Sequence, residues 1–268
     1  MIGLQRGNYL GKADSIVNAD GIIVSLTSYP DTAYSENLHY HETLHMSFVL
    51  RGGNLEKRIG YDIERVPGVV TFYDAGELHQ STKTIGGSKH VNVEIEDRFL
   101  QQYGLGLSAE KIRSLRSPDA VFMMTRLLKE LRAQDDLSEV TIHGAMLNFL
   151  QAAGGIKENE KTPPWLHVIY EYLHDRWDES ISLEDLSVIA NVHPVTISKY
   201  FPKYFGCTIG EYMRKLKVEQ AILLIKTSPY SLTEVAAFCG FADQSHFIRA
   251  FKQQTGFAPK YYQKLLNC

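Results

Sequence analysis

ISLEDLSVIANVHPVTISKYFPKYFG, residues 181–206, and SLTEVAAFCGFADQSHFIRAFKQQTG, residues 231–256, set out one arrangement twice, about fifty residues apart. Each copy opens on a hydroxyl followed three residues later by an acid, Ser182 with Asp185 and Ser231 with Glu234. That pairing satisfies the unpaired N–H groups of a helix start from both directions. Leu183, Leu186 and Ile189 then supply the inner face of a short helix, as Leu232, Val235, Ala236 and Cys239 do in the second copy. Asn191 and Gly240, both tolerant of left-handed backbone, end these helices. A longer helix follows, with Ile197, Phe201 and Phe205 inward in one copy and Phe247, Phe251 and Phe257 inward in the other. A short helix, a tight turn and a longer helix make a helix-turn-helix.

The residues left outward are polar apart from Val195. They are Val195, Thr196, Ser198 and Lys199 in the first copy, and Gln244, Ser245, His246 and Arg249 in the second. Arg or Lys on guanine and Gln on adenine are the pairings by which side chains read base edges, and Lys203 and Lys252 are placed to meet phosphates. Helix-turn-helix geometry also occurs in proteins that never touch DNA. Two tandem copies with polar outer faces favour the DNA-reading alternative.

The stretch GFADQSHFIRAFKQQTGFAPKYY, residues 240–262, resembles the signature of the AraC/XylS family of bacterial transcription regulators, and LEDLSVIANVHPVTISKYFPKYFG, residues 183–206, resembles that family's first motif. The resemblance runs from Pro164 to the end. It implies base-reading roles for Val195, Ser198 and Lys199 in one helix and for Gln244, Ser245 and Arg249 in the other. It further implies a connecting helix over 211–226, a rod of about 24 Å at 1.5 Å per residue, that holds both reading helices in successive major grooves. Lys199 departs from the arginine frequent at its position, and Val195 suits a thymine methyl better than a hydrogen bond.

The net charge of −3 over 268 residues is unusual for a DNA binder until it is divided. From Ser180 onward ten Lys or Arg face six Asp or Glu, a balance of +4, which leaves −7 for the remainder. Positive charge is thus concentrated where counterion release would use it. Cys207, Cys239 and Cys268 have neither zinc nor C-x-x-C spacing and read as reduced thiols. The N-terminal residues lack the apolar core of a signal peptide, and no run of eighteen apolar residues occurs, so the expectation is a soluble cytoplasmic protein with no membrane partner.

Residues 1 to 20 read as irregular. From Gly21, GIIVSLTSY, LHMSFVLRGG, LEKRIGY, GVVTFYDAGELHQ and HVNVEIE are short β-branched or aromatic runs separated by turn residues. They predict an antiparallel barrel or sandwich. His39, His41 and His45 with Gly52, and then Asp74, Gly76 and His79, resemble the two cupin motifs, with His45 where a glutamate is usual and Asp74 where a proline is usual. A period of two sends His39 and His41 to one face, and His45 joins them if the strand runs on unbroken. Two readings of the four histidines stand side by side. Converging imidazoles suit Zn²⁺, Ni²⁺ or Fe²⁺, whereas the family resemblance implies a small organic effector without metal.

After Glu96 the periodicity becomes helical. DRFLQQYGL, PDAVFMMTRLLKELRAQ starting at Pro118, and SEVTIHGAMLNFLQAAGG starting at Ser138 carry apolar residues at spacings of three and four. The pair has more apolar surface than it can hide within itself; most should pack on the β-rich part, and the resemblance assigns the rest to a dimer interface. IKENEKTPP, 156–164, reads as a charged, proline-ended linker.

The expected fold class is α+β. An N-terminal antiparallel, cupin-like β-barrel with a helical pair occupies 1–155 and senses and dimerises; an all-α domain with two helix-turn-helix motifs occupies 165–268. The expected function is a sequence-specific transcription regulator, not an enzyme, with double-stranded DNA, a small-molecule effector, a second copy of the chain and RNA polymerase as partners. His39, His41, His45 and His79 are the expected effector residues, and no catalytic residue, metal or cofactor is assigned. The alternative is a metal-dependent cupin enzyme with an appended helical module, for which Glu42 and Glu77 are the nearby acids; no P-loop or G-x-S-x-G motif supports other catalysis.

Overall fold

The computed structural model describes residues 2–106, 119–154 and 163–267. Two compact units divide the chain, one formed by Met1–Gly154 with Lys264–Cys268, the other by Gly155–Gln263. Pro118 and residues 156–162 of the linker expected at 156–164 lie outside the described residues; Pro163 caps a helix that begins at Pro164, one residue before the expected start at Trp165.

Among the described residues the first unit holds ten strands: β1 (Ile2–Leu4), β2 (Lys12–Asn18), β3 (Ile22–Ser28), β4 (His39–His41), β5 (Leu44–Arg51), β6 (Asn54–Arg58), β7 (Tyr61–Arg65), β8 (Val70–Tyr73), β9 (His79–Thr82) and β10 (Lys89–Ile95). They form two five-stranded sheets in the orders β1-β4-β9-β6-β7 and β2-β3-β10-β5-β8. The antiparallel, β-rich half is as the sequence predicts, although the strands divide between two open sheets and β1 joins β4 in parallel. The expectation of an irregular stretch over residues 1 to 20 is wrong. β2 is the edge strand of its sheet, and its KADSIVN alternates exposed with half-buried positions, so it carries no apolar run to announce it.

Register explains what lies between the sheets. In the second sheet Val24, Val93 and Met46 stand in one cross-strand row, and Glu94, His45 and Tyr73 in another. Side chains alternate along each strand, so one face of this sheet is apolar and the other carries Ser25, Asn92, Ser47 and His45. Helices α2 (Asp119–Ala133) and α3 (Ser138–Gly154), which follow the short α1 (Asp97–Gln102), pack together and against β2, with α2 also against β3. Phe122, Leu127, Leu128 and Leu131 are buried on α2, and Ile142, Met146 and Leu150 on α3. The opposite, polar face of the sheet is buried as well, including Ser25, Ser47 and Asn92.

Among its described residues the second unit is all helical: α4 (Pro164–Asp175), α5 (Leu183–Ala190), α6 (Pro194–Phe205), α7 (Ile209–Thr227), α8 (Leu232–Phe238), α9 (Gln244–Thr255) and, up to Gln263, α10 (Pro259–Asn267). Leu166, Ile169, Leu173, Leu186, Ile197 and Phe201 share a core with Tyr212, Met213 and Leu216 of α7. Full burial of side chains this size stabilises by about 1.5–3 kcal/mol each. Among the described residues no helix is long and apolar enough to cross a membrane.

Candidate functional site

Local chemistry fixes both helix-turn-helix copies. Ser182 and Asp185 form a reciprocal capping box at α5, and Ser231 and Glu234 form one at α8. Asn191 caps α5 in the left-handed region at φ 51°. Gly240, at φ +66°, sits so close to the Asp178 carbonyl that an added Cβ would lie 2.4 Å from its oxygen. Only glycine meets both demands there. Lys217 of α7 donates to the Gly240 carbonyl at 2.9 Å, tying the second turn to the long helix. Asp243 accepts from the His246 N–H at 2.7 Å and starts α9.

Ile197, Phe201, Phe247 and Phe251 are fully buried. Their burial turns the expected reading positions outward. Val195, Ser198, Lys199 and Lys203 on α6 are exposed with Thr196 half-buried; Gln244, Ser245, Arg249 and Lys252 on α9 are exposed with His246 half-buried. Lys203 holds its ammonium 4.6 Å from the Tyr200 ring centre. Helix α7 runs over 19 residues, Ile209–Thr227, about 28 Å of rod, longer than the sequence suggested at both ends. Thr208, capping it with Glu211, was the start signal overlooked. One inner-face expectation fails: Ile189 is 47% exposed, because α5 is only eight residues long and Leu186 alone is fully buried on it.

In the first unit His39, His41, His45 and His79 converge, though by a different route from the one expected. The strand does not run unbroken. It ends at His41, and His45 belongs to β5 in the other sheet. His39 lies across from His79 in the β4/β9 pair, with ring centres 4.2 Å apart. His41 stacks on His45 at 3.9 Å, so the rings of both sheets meet. His39 Nδ1 donates to the Asn37 carbonyl and His79 Nδ1 to the Glu77 carbonyl, each at 2.9 Å. Ligand atoms of His39, His41 and His79 all lie within 4.8 Å of one another, as do those of His41, His45 and Glu94. The cavity they share, with Tyr9, Arg65 and Asn92 also on its wall, holds about 20 Å³. That is room for about one water-sized occupant.

Burial, then the neighbouring His79 and His39, pushes His41 down to about 3, and burial with His39 pushes His79 down to about 4. Burial and the stacked His41 hold His45 well below the usual histidine range. All three are neutral near pH 7. Burial raises Glu94, which accepts from the Gly7 N–H at 3.1 Å.

Sequence reading missed the charged network beside the cluster. Glu56 is fully buried and meets Arg58 at 2.7 Å through one oxygen and Arg65 at 3.4 Å through the other, to which Tyr73 also donates. Arg58 also reaches Glu77 at 2.6 Å, and Arg65 donates to Ser47 at 2.7 Å and to Thr71 at 3.0 Å. Burial raises Glu56, but Arg65 and Arg58 outweigh it and hold the carboxylate ionised. The signal was present in NLEKR, where Asn54, Glu56 and Arg58 alternate onto one strand face.

Residues 186–265 match the model of a helix-turn-helix domain family. GbdR of Pseudomonas aeruginosa, an HTH-type transcriptional regulator, is 32% identical over 97 residues, 36% of this chain and 26% of that protein. The transcriptional activator RhaS of Escherichia fergusonii is 28% identical over 52% of this chain and 51% of its own length. The chain therefore spans about a quarter and about half of these two relatives. The activator RhaR of Cronobacter sakazakii aligns over 95% of both chains at 23% identity. Among solved structures, the DNA-binding domain of AdpA in complex with a target DNA is 27% identical over 39% of this chain and 93% of that one, with a TM-score of 0.36.

Proposed function

We propose that this chain, which carries an AraC/XylS-type helix-turn-helix domain, is a sequence-specific DNA-binding transcription regulator whose activity follows a small ligand held in the N-terminal unit. The observation that carries the reading is the pairing of α6 with α9. Each is fixed from behind by fully buried apolar residues and presents mostly polar side chains outward, with α7 as the rod between them. Gln244, Ser245 and Arg249 read base edges on one side and Val195, Ser198 and Lys199 on the other; Thr196 and His246 flank them, and Lys203 and Lys252 meet phosphates.

The signal enters at His39, His41, His45 and His79. A buried, polar cluster costs stability unless something satisfies it, which favours a ligand there. The domain plan is a sensing and dimerising unit over 1–155, a linker over 156–164 and a DNA-binding unit over 165–268. Leu137 and Val140, 68% and 71% exposed at the start of α3, are the apolar surface offered to a second copy. RNA polymerase is the downstream partner, and the cytoplasm the compartment.

The metal-dependent enzyme reading ranks second. Its acids are poorly placed, since Glu42 is exposed and Glu77 is engaged by Arg58. A cavity of about 20 Å³ also leaves no room for a substrate beside an ion. Footprinting of genomic DNA by the purified full chain tests the proposal. Protection of discrete sites is the expected result, and uniform protection, alike on all fragments, overturns it.

A further inference from the structure

We propose that Ile248 reads a thymine through its 5-methyl group, and so fixes a T·A pair in the part of the site that α9 meets. The proposal rests on the reading of α9 as a base-reading helix and adds to it a residue of different chemistry. Ile248 is 37% exposed on α9, outside the stripe formed by buried Phe247, Ala250 and Phe251. At about 100° per residue, Gln244 lies about 40° to one side of it and Lys252 about 40° to the other, each one turn away. A side chain set between a base contact and a phosphate contact faces the same groove.

The internal repeat gives the second reason. Ile197 and Phe201 are fully buried on α6, as Phe247 and Phe251 are on α9, and Gly206 and Gly256 end the two helices in the left-handed region. That register makes Lys199 equivalent to Arg249 and Ser198 equivalent to Ile248. Ser198 and Lys199 read bases together in the first copy, so the second copy should read with both positions too. His246 lies on the other flank of α9, half-buried, with its ring edge-on to Phe241 and the ring centres 5.4 Å apart. It leaves the outward arc to Ile248.

Chemistry selects the base. An isoleucine side chain neither donates nor accepts a hydrogen bond, and the apolar group that a base pair shows in the major groove is the 5-methyl of thymine. Guanine, adenine and cytosine offer acceptors or an amino donor there, and Ile248 against those edges would remove water without returning a partner. Against the methyl it buries apolar surface on both sides. Its β-branched side chain is nearly fixed at χ1 in a helix, so little freedom is lost when the contact forms.

Uridine scanning tests this. The full-length chain first selects its site from random duplexes, and Arg249→Ala marks the block that α9 reads. Each thymine of that block is then replaced singly by deoxyuridine, which lacks only the methyl group. One replacement should weaken wild-type binding about fourfold, the worth of one buried carbon. The same replacement should leave Ile248→Ala, already weaker on the parent site, unchanged. Absence of thymine from the α9 block, no uridine that weakens the wild type, or an equal loss in wild type and Ile248→Ala would overturn the proposal. The wild-type scan decides even if the variant fails to fold. If a site is selected, the regulator reading stands whatever the scan returns; if none is, that reading and this proposal fail together.

Discussion

Arg249→Ala isolates base reading from folding. Arg249 is exposed on α9, and among the described residues it makes no hydrogen bond or ion pair, so its truncation removes no contact on which the fold depends. Surface changes of that kind shift stability by at most about 0.5 kcal/mol. The buried side of the same helix, Phe247, Ala250 and Phe251, is untouched. A bidentate arginine contact to guanine is worth about 1–3 kcal/mol of discrimination, or roughly 5-fold to 150-fold in affinity for the preferred base. The variant should therefore keep its melting temperature, lose that factor on its best site, and lose its preference at a single base pair. Binding-site selection with wild type and variant side by side reads all three. Lys252→Ala is the counterpart: it should weaken all sequences alike and lower the slope of log affinity against log salt by about 0.9. An Arg249→Ala motif identical to the wild-type motif would refute the assignment of α9 as a reading helix.

Three further outcomes follow from the first unit. Glu56→Gln leaves Arg65, and part of Arg58, without a buried counter-charge, and should cost about 3–5 kcal/mol in a denaturant titration. Burial, with Arg65 adding, holds His90 well below the ordinary histidine range, so between about pH 6.5 and that lowered value the unfolded chain binds a proton that the native chain does not. Stability contributed by this group is complete above about pH 6.5 and falls as pH drops, and His90→Leu should flatten the slope between about pH 6 and pH 5 by up to 1.4 kcal/mol per pH unit. On the proposed dimerisation through this surface, the wild-type chain should sediment as a dimer and Leu137→Glu with Val140→Glu as a monomer, with little loss of stability, since both positions are exposed.

What the sequence disclosed depended on how local the cause was. Ser182 with Asp185 and Ser231 with Glu234 act within four residues, and both boxes form as read. The spacing of Ile197 and Phe201, and of Phe247 and Phe251, needs only helical geometry to decide which side faces inward. Ile189 obeyed the same spacing and still came out exposed, because whether a short helix has a neighbour over its last turn is a tertiary matter. The four histidines were recognisable as a group. Their meeting across two sheets was not legible, since it depends on the turn after His41 that sends β5 into the other sheet. Sequence reading gave Glu56, Arg58 and Arg65 no role; it is pairing with β9 and facing Tyr73 and Ser47 that makes them interior.

Selection of random duplexes by the full-length chain tests the central claim most directly. If α6 and α9, joined by the rod of α7, each enter a major groove on one face of DNA, the enriched sequence should contain two short blocks whose centres lie about 10–10.5 base pairs apart. Arg249→Ala should degrade one block and Lys199→Ala the other. A single block, or enrichment no greater than that of an unrelated basic protein, would contradict the account.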